Sequence, residues 1–93
     1  MIPLQHFAPG VLAAIIRRQP PSGGRTALAW QIAVGPAVAR TTTVDLAGTV
    51  LMVTPRDARW GREIARAAPT ILPRMQHLLG AEAVTALKVV ADR

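Results

Sequence analysis

The sequence predicts an α+β domain in which helices cover one face of a three-stranded sheet. Three observations carry this expectation. Residues 42–54 are rich in β-branched side chains and hold Gly48-Thr49 at their middle, the mark of a hairpin. The segments on either side carry apolar residues at helical spacing, each with one tryptophan, Trp30 and Trp60. With 93 residues, 51% hydrophobic and 17% charged, the chain has material for one core and two layers.

Pro9 to Arg18 reads as a short first helix, opened by Pro9 or Gly10, with Leu12, Ile15 and Ile16 on one face. Gln19-Pro20-Pro21-Ser22-Gly23-Gly24 breaks it with linker composition. The chain is therefore expected to divide into residues 1–24, a helix and linker, and residues 25–93, the folded domain. Thr26 to Arg40 reads as the main helix. Ala27, Trp30, Val34 and Ala37 or Val38 form one stripe, and Leu28 and Ile32 a second. Such a helix must be covered on two sides, by the sheet and by either the first helix or a partner. Gly35-Pro36 should bend it, because the proline ring crowds the carbonyl of Ile32.

Thr42 to Ala47 and Val50 to Thr54 read as the hairpin strands, joined by Gly48-Thr49 in a type II′ loop. This register pairs Leu46 with Leu51 and Val44 with Val53 on one face, leaving Asp45, Ala47, Val50 and Met52 on the other. From Asp57 to Gly80, Trp60, Ile64, Ala67, Ile71, Met75 and Leu78 recur at steps of three and four. Pro69 and Pro73 argue for two helices, 57–67 and 70–79. Asp57 suits an N-cap and Gly80 a C′ position. Ala86 to Val90 reads as a third strand, with Leu87 and Val89 inward and Lys88 and Val90 outward. The order after the first helix is helix, strand, strand, helix, helix, strand. That is the KH-like type II order, α-β-β-α-α-β, with its helices on one face of the sheet and a short N-terminal helix added.

Composition excludes much chemistry. Cysteine is absent, so no disulfide and no thiolate metal site is expected. His6 and His77 lie far apart without clustered acids, so no metal is expected. Ser22 is the lone serine and has no local base. The five acids, Asp45, Asp57, Glu63, Glu82 and Asp92, show no pairing suited to acid–base work. Gly23-Gly24-Arg25-Thr26 lacks the lysine and length of a nucleotide loop. No catalytic residue and no cofactor are expected. The apolar run Val11 to Ile16 is short and is followed by Arg17-Arg18, unlike a leader or a membrane span. A cytoplasmic place and no membrane partner are expected.

A formal charge of +6 points to polyanions or acidic protein surfaces. Arg59 and Arg66 share a side of their helix with Arg62 nearby; Arg17, Arg18, Arg25 and Arg40 form a second basic set. These seven are the nucleic-acid candidates, against an ion-paired solvated face in which Glu63 neighbours Arg59 and Arg66. A KH-type backbone clamp would sit near Arg66-Ala67-Ala68-Pro69, where no glycine stands, and sequence readout is not expected. Both tryptophans lie on core stripes and Phe7 is the one phenylalanine, so stacking platforms are few. Leu28, Ile32, Val50, Met52 and Val90 are the partner-binding candidates. Trp30, Val34, Leu51, Val53, Trp60 and Ile64 are the expected core.

The frame Ala29-Trp30-x-x-x-Val34-Gly35, Gly48-x-x-Leu51-x-Val53, Trp60 before an amphipathic helix, and Leu79-Gly80 resembles the DciA family of bacterial replicative-helicase operators, or loaders. The likeness covers nearly all of the chain, with Pro3-Leu4 and Leu12 to Arg18 included. It implies a KH-like, non-enzymatic adaptor at the replication fork. Such a module binds the replicative hexameric helicase, uses no nucleotide of its own, and assists helicase loading on single-stranded DNA with a weak, sequence-independent contact. Three features depart from the family pattern. Arg40-Thr41-Thr42-Thr43 stands where a histidine is usual before the hairpin. The chain ends at Arg93, without a basic extension, which should weaken DNA binding. No cysteine is present to build the zinc ribbon of some relatives. The alternatives are a KH-like RNA-binding or ribosome-associated protein, and a module that self-associates through Leu28, Ile32 or the open sheet face.

Overall fold

The computed structural model describes residues 9–90. Its elements are α1 (Pro9–Arg18), α2 (Gly23–Val34), α3 (Pro36–Ala39), β1 (Thr42–Ala47), β2 (Val50–Pro55), α4 (Ala58–Leu79) and β3 (Ala86–Val89). The three strands form one sheet in the order β1-β2-β3. β1 and β2 run antiparallel, and β2 and β3 parallel. Helices α2 and α4 pack against one face of this sheet.

The hairpin follows from its side chains. Val44 pairs with Val53 and Leu46 with Leu51, the register that puts all four toward the helices. Leu51 and Val53, on the central strand, are fully buried. Gly48 has φ 63 and, among the described residues, no other residue type has positive φ, so the two-residue loop is type II′. β3 sets Leu87 beside Leu51 and Val89 beside Val53, completing the apolar face.

The main helix departs from expectation at both ends. It starts at Gly23, because Ser22 caps it: the Ser22 hydroxyl accepts from the Arg25 N–H at 3.1 Å. Residues 22–26 are thus a capped first turn and not a loose linker. At the other end Gly35, with φ 88, leaves the helical region and Pro36 opens the separate four-residue α3. The expected bend is a break. The buried stripe is Thr26, Ala29, Trp30 and Ala33, while Ala27 is exposed and Val34 only half-buried. Trp30 is 2% exposed, and its Nε1–H donates to Thr42 Oγ1 at 2.8 Å. The Thr42 hydroxyl lies 3.2 Å from the Val38 carbonyl, its own acceptor. One indole therefore joins α2, α3 and β1.

The two helices expected between the second and third strands are one, the 22-residue α4. Pro69 and Pro73 are four apart and exposed, opposite the buried Ile64, Ile71, Met75 and Leu78. The two carbonyls they leave without a helical partner, Ala65 and Pro69, therefore face water, and the helix is able to bow around the sheet without ending. Asp57 caps its start, accepting from the Trp60 N–H at 3.0 Å, and Gly80 ends it at φ 109. The first turn brings Gly61 onto the sheet: a Cβ there would stand 3.2 Å from Pro55 Cγ and 3.6 Å from Val89 Cγ1. That close approach turns the neighbouring Trp60 about 100° away around the helix, off the sheet. Trp60 is accordingly half-buried and outside the core it was expected to join.

Helix α1 packs on α4, with Ala13 and Ile16 in the core. Ile15, expected to share that face, is 44% exposed. The Arg25 guanidinium fastens this corner by donating to the Gln19 carbonyl at 2.9 Å and the Leu79 carbonyl at 3.3 Å.

Replacing Thr42 by Val is expected to destabilise the fold by about 1–3 kcal/mol, since the indole N–H is left without its acceptor. Trp30→Ala is expected to cost about 3–5 kcal/mol. Gly61→Val forces a branched side chain against Pro55 and Val89 and is expected to cost about 1–3 kcal/mol. Urea titrations of the three variants check all three figures, and a Gly61→Val chain as stable as the parent would show that the helix–sheet approach is not tight.

Candidate functional site

The break at Gly35 has a consequence for the surface. α3 packs on α2 and β1, and the flank of α4 beside it is left open. A groove of about 460 Å³ results. Ala33, Ile64 and Ile71 form its floor, Val34, Val38 and Ala67 line it half-buried, and the Trp60 ring is a wall. Arg59, Glu63, Thr70 and Arg74 stand at the rim. Arg59 and Arg74 are fifteen residues apart, so the groove runs for about 22 Å at ~1.5 Å rise per residue. Arg74 closes the side toward α2, where its guanidinium donates to the Ala33 carbonyl at 3.1 Å. An apolar trough of this length between two helices has the form of a seat for a third.

The predicted arginines do not make one surface. Arg59 borders the groove, whereas Arg62 faces a separate cleft on the other flank of α4, with Pro55 and Val90. Arg66 is exposed and stands 3.8 Å from Glu63, a solvated pair worth at most about 1 kcal/mol. Arg25 is occupied by the two carbonyls named above, and Arg17 donates to the Ala13 carbonyl of its own helix at 3.3 Å. Arg18 is exposed at the end of α1, and Arg40 at the end of α3. Arg56, absent from the sequence-based set, lies in one mouth with Arg40. Continuing the hairpin register by one pair sets Arg56 opposite Thr41, and that signal was available in the sequence.

Of the partner candidates, Leu28 and Ile32 are half-buried against the core. Val50 and Met52 are half-buried on the open sheet face, among exposed Asp45, Ala47 and Lys88, and Val90 follows β3. The groove is a further apolar feature, with Trp60 and Val34 reassigned from core to its wall. Residues Arg66 to Pro69 lie inside α4, so the inter-helix loop expected there is absent. His77 is exposed in the last turn of α4; His6, Phe7 and Pro3-Leu4 lie outside the described residues. Among the described residues, no three His, Cys, Asp or Glu side chains group as metal ligands, and no helix is long and apolar enough to cross a membrane.

The family described as Dna[CI] antecedent, DciA, matches residues 3–89. The chain belongs to the DciA family. The DciA match takes in every element from α1 to β3, so the groove, the Arg40–Arg56 mouth and the capped helices all fall within it. The DciA family is linked to DNA replication and is not a catalytic one. No curated protein matches the chain.

Trp60→Ala is expected to lose less than half the stability that Trp30→Ala loses, because only Trp30 is enclosed. Urea titration of the two variants checks the stabilities, and iodide quenching checks the difference in exposure behind them. The Trp60→Phe variant, whose emission is Trp30 alone, should resist a quencher that attenuates the parent protein, and equal quenching of both would put Trp60 back in the core.

Proposed function

We propose that this chain is a non-enzymatic replication adaptor that binds the replicative hexameric helicase and assists its loading on single-stranded DNA. Family membership supports the process, and the groove beside Trp60 carries the reading of how. An apolar trough about 22 Å long, rimmed by Arg59 and Arg74, suits a helical segment of a protein partner bearing acids at its edge. The aromatic wall and the arginine rim are the residue types that dominate interface energetics. The fold is read as a KH-like variant in which the two helices between the second and third strands are fused into α4. Without a loop between them there is no place for a backbone clamp, and the RNA-binding alternative draws no support from the geometry. The adaptor would work at the replication fork, hold no nucleotide, and touch DNA weakly and without sequence preference.

Calorimetry with the cognate helicase tests the reading. The parent chain is expected to bind at low micromolar concentration or tighter, and Ala67→Glu, which places a charge on the trough, to weaken binding about tenfold or more. Absence of binding at tens of micromolar would count decisively against the adaptor. Loss on Met52→Glu instead of Ala67→Glu would move the contact to the open sheet face.

A further inference from the structure

Arg40 and Arg56 are sixteen positions apart and meet because the hairpin register brings their backbones together. The Arg56 N–H donates to the Thr41 carbonyl at 2.7 Å, one step beyond the last ladder pair, Thr42 with Pro55. The two guanidiniums flank an open mouth of about 670 Å³ at this end of the sheet, shared with Thr43 and Thr54. Thr43 and Thr54 are direct cross-strand neighbours on the face that no helix covers.

The donors here divide into two kinds. Thr41 and Thr42 spend their hydroxyls on the Val38 carbonyl, at 2.7 and 3.2 Å, and so hold the corner in shape. The hydroxyls of Thr43 and Thr54 and both guanidiniums have no side-chain hydrogen bond or ion pair among the described residues. Among the described residues no carboxylate lines the mouth. Of the described acids nearest in sequence, neither lines the mouth: Asp57 accepts from the Trp60 N–H at the start of α4, and Asp45 sits two residues along β1, across from Met52. Arg40 at the end of α3, Arg56 just after β2 and the cross-strand pair Thr43 and Thr54 thus line one mouth with no acid among its described lining residues.

A carboxylate offers its lone pairs in one plane, whereas the tetrahedral phosphodiester presents oxygens out of any one plane, and a strand repeats that group so that arginines and hydroxyls spread over one mouth can be used together. We propose that Arg40, Thr43, Thr54 and Arg56 form a phosphodiester site that holds the backbone of a single nucleic-acid strand. The choice of single-stranded DNA rests on the adaptor reading. The chemistry of the site does not. No aromatic ring lies on the adjoining sheet face, where the bases would rest over Val50 and Met52, so the contact reads no sequence and is weak. Such a site would also stand apart from the groove, leaving both ligands room on one small domain.

The test is fluorescence anisotropy of a labelled oligo-dT across a salt series, with the full chain. The Arg40→Gln, Arg56→Gln double variant is expected to lose about tenfold in affinity, and the slope of log K against log salt to fall by about 1.4, the sum for two phosphate contacts on a single strand. Arg18→Gln, which removes an exposed charge at the end of α1, away from this sheet face, should change the affinity less than twofold. Thermal melts confirm that each variant folds. Inorganic phosphate at millimolar concentration should compete only feebly if a strand is the ligand; full displacement by phosphate would make this a free-anion site and overturn the strand assignment. Equal losses from Arg18→Gln and from the single Arg56→Gln would show diffuse attraction and overturn the site, as would an unchanged double variant or a parent chain without affinity in low salt. Tighter binding of a poly-glutamate peptide than of oligo-dT would assign the mouth to acidic protein instead. If the chain captures the helicase while the double variant keeps its DNA affinity, the site fails and the adaptor stands; if the DNA result holds without helicase capture, the reverse is true.

Discussion

Trp30 has one polar atom, and its placement governs the layer above the sheet. The indole body is enclosed while Nε1 reaches Thr42 at the start of β1, whose hydroxyl is in turn turned toward the carbonyls at the end of α3. Burying the ring without that acceptor would forfeit much of what its apolar area gains. The bond therefore fixes three things at once: the rotation of α2, the position of α3 after the break, and the point at which the chain enters the sheet. Gly35 makes the arrangement possible by leaving the helix at a φ that side chains rarely adopt. After the break α3 packs on α2 and β1, and Val38 borders the groove along α4.

Two glycines thus shape the site without lining it. Gly35 redirects α3 away from α4, and Gly61 presses the first turn of α4 onto Pro55 and Val89. The second contact explains why the paired tryptophans differ. Both stand on helical stripes, but the helix bearing Trp60 approaches the sheet through a residue with no side chain, so the large ring is displaced sideways into the trough. An apolar groove so built owes its aromatic wall to packing geometry on the far side of the same turn.

Much of the fold was legible in the residues. The hairpin register follows from side-chain alternation and a glycine-first loop, and the ends of α1, the Asp57 cap and the Gly80 terminus follow from short-range chemistry that needs no tertiary context. What could not be read were outcomes set by distant partners. Ala13 and Ile16 replace Ile15 on the buried face of α1 because α4 lies where it does. Proline was read as a helix end at Pro69, although on the solvent side its lost bond is replaced by water. The site was less legible still, since the basic candidates were chosen by their helical neighbours. Arg56 becomes a neighbour of Arg40 only through strand pairing, and Arg25 is consumed by two backbone carbonyls that no local pattern announces.

The proline pair in α4 also divides that helix by purpose. Everything ahead of Pro69 presents Trp60, Ile64 and Ala67 to the trough, and everything behind Pro73 is anchored by Met75, Leu78 and Leu79 in the core. At Pro69 and Pro73 the helix ladder lacks a bond, with intact rungs between the two. Tilting the leading half would lift Gly61 off Pro55 and Val89 and draw Ile64 out of the core, so the missing bonds give α4 licence to curve while its packing on the strands dictates the sense of that curve.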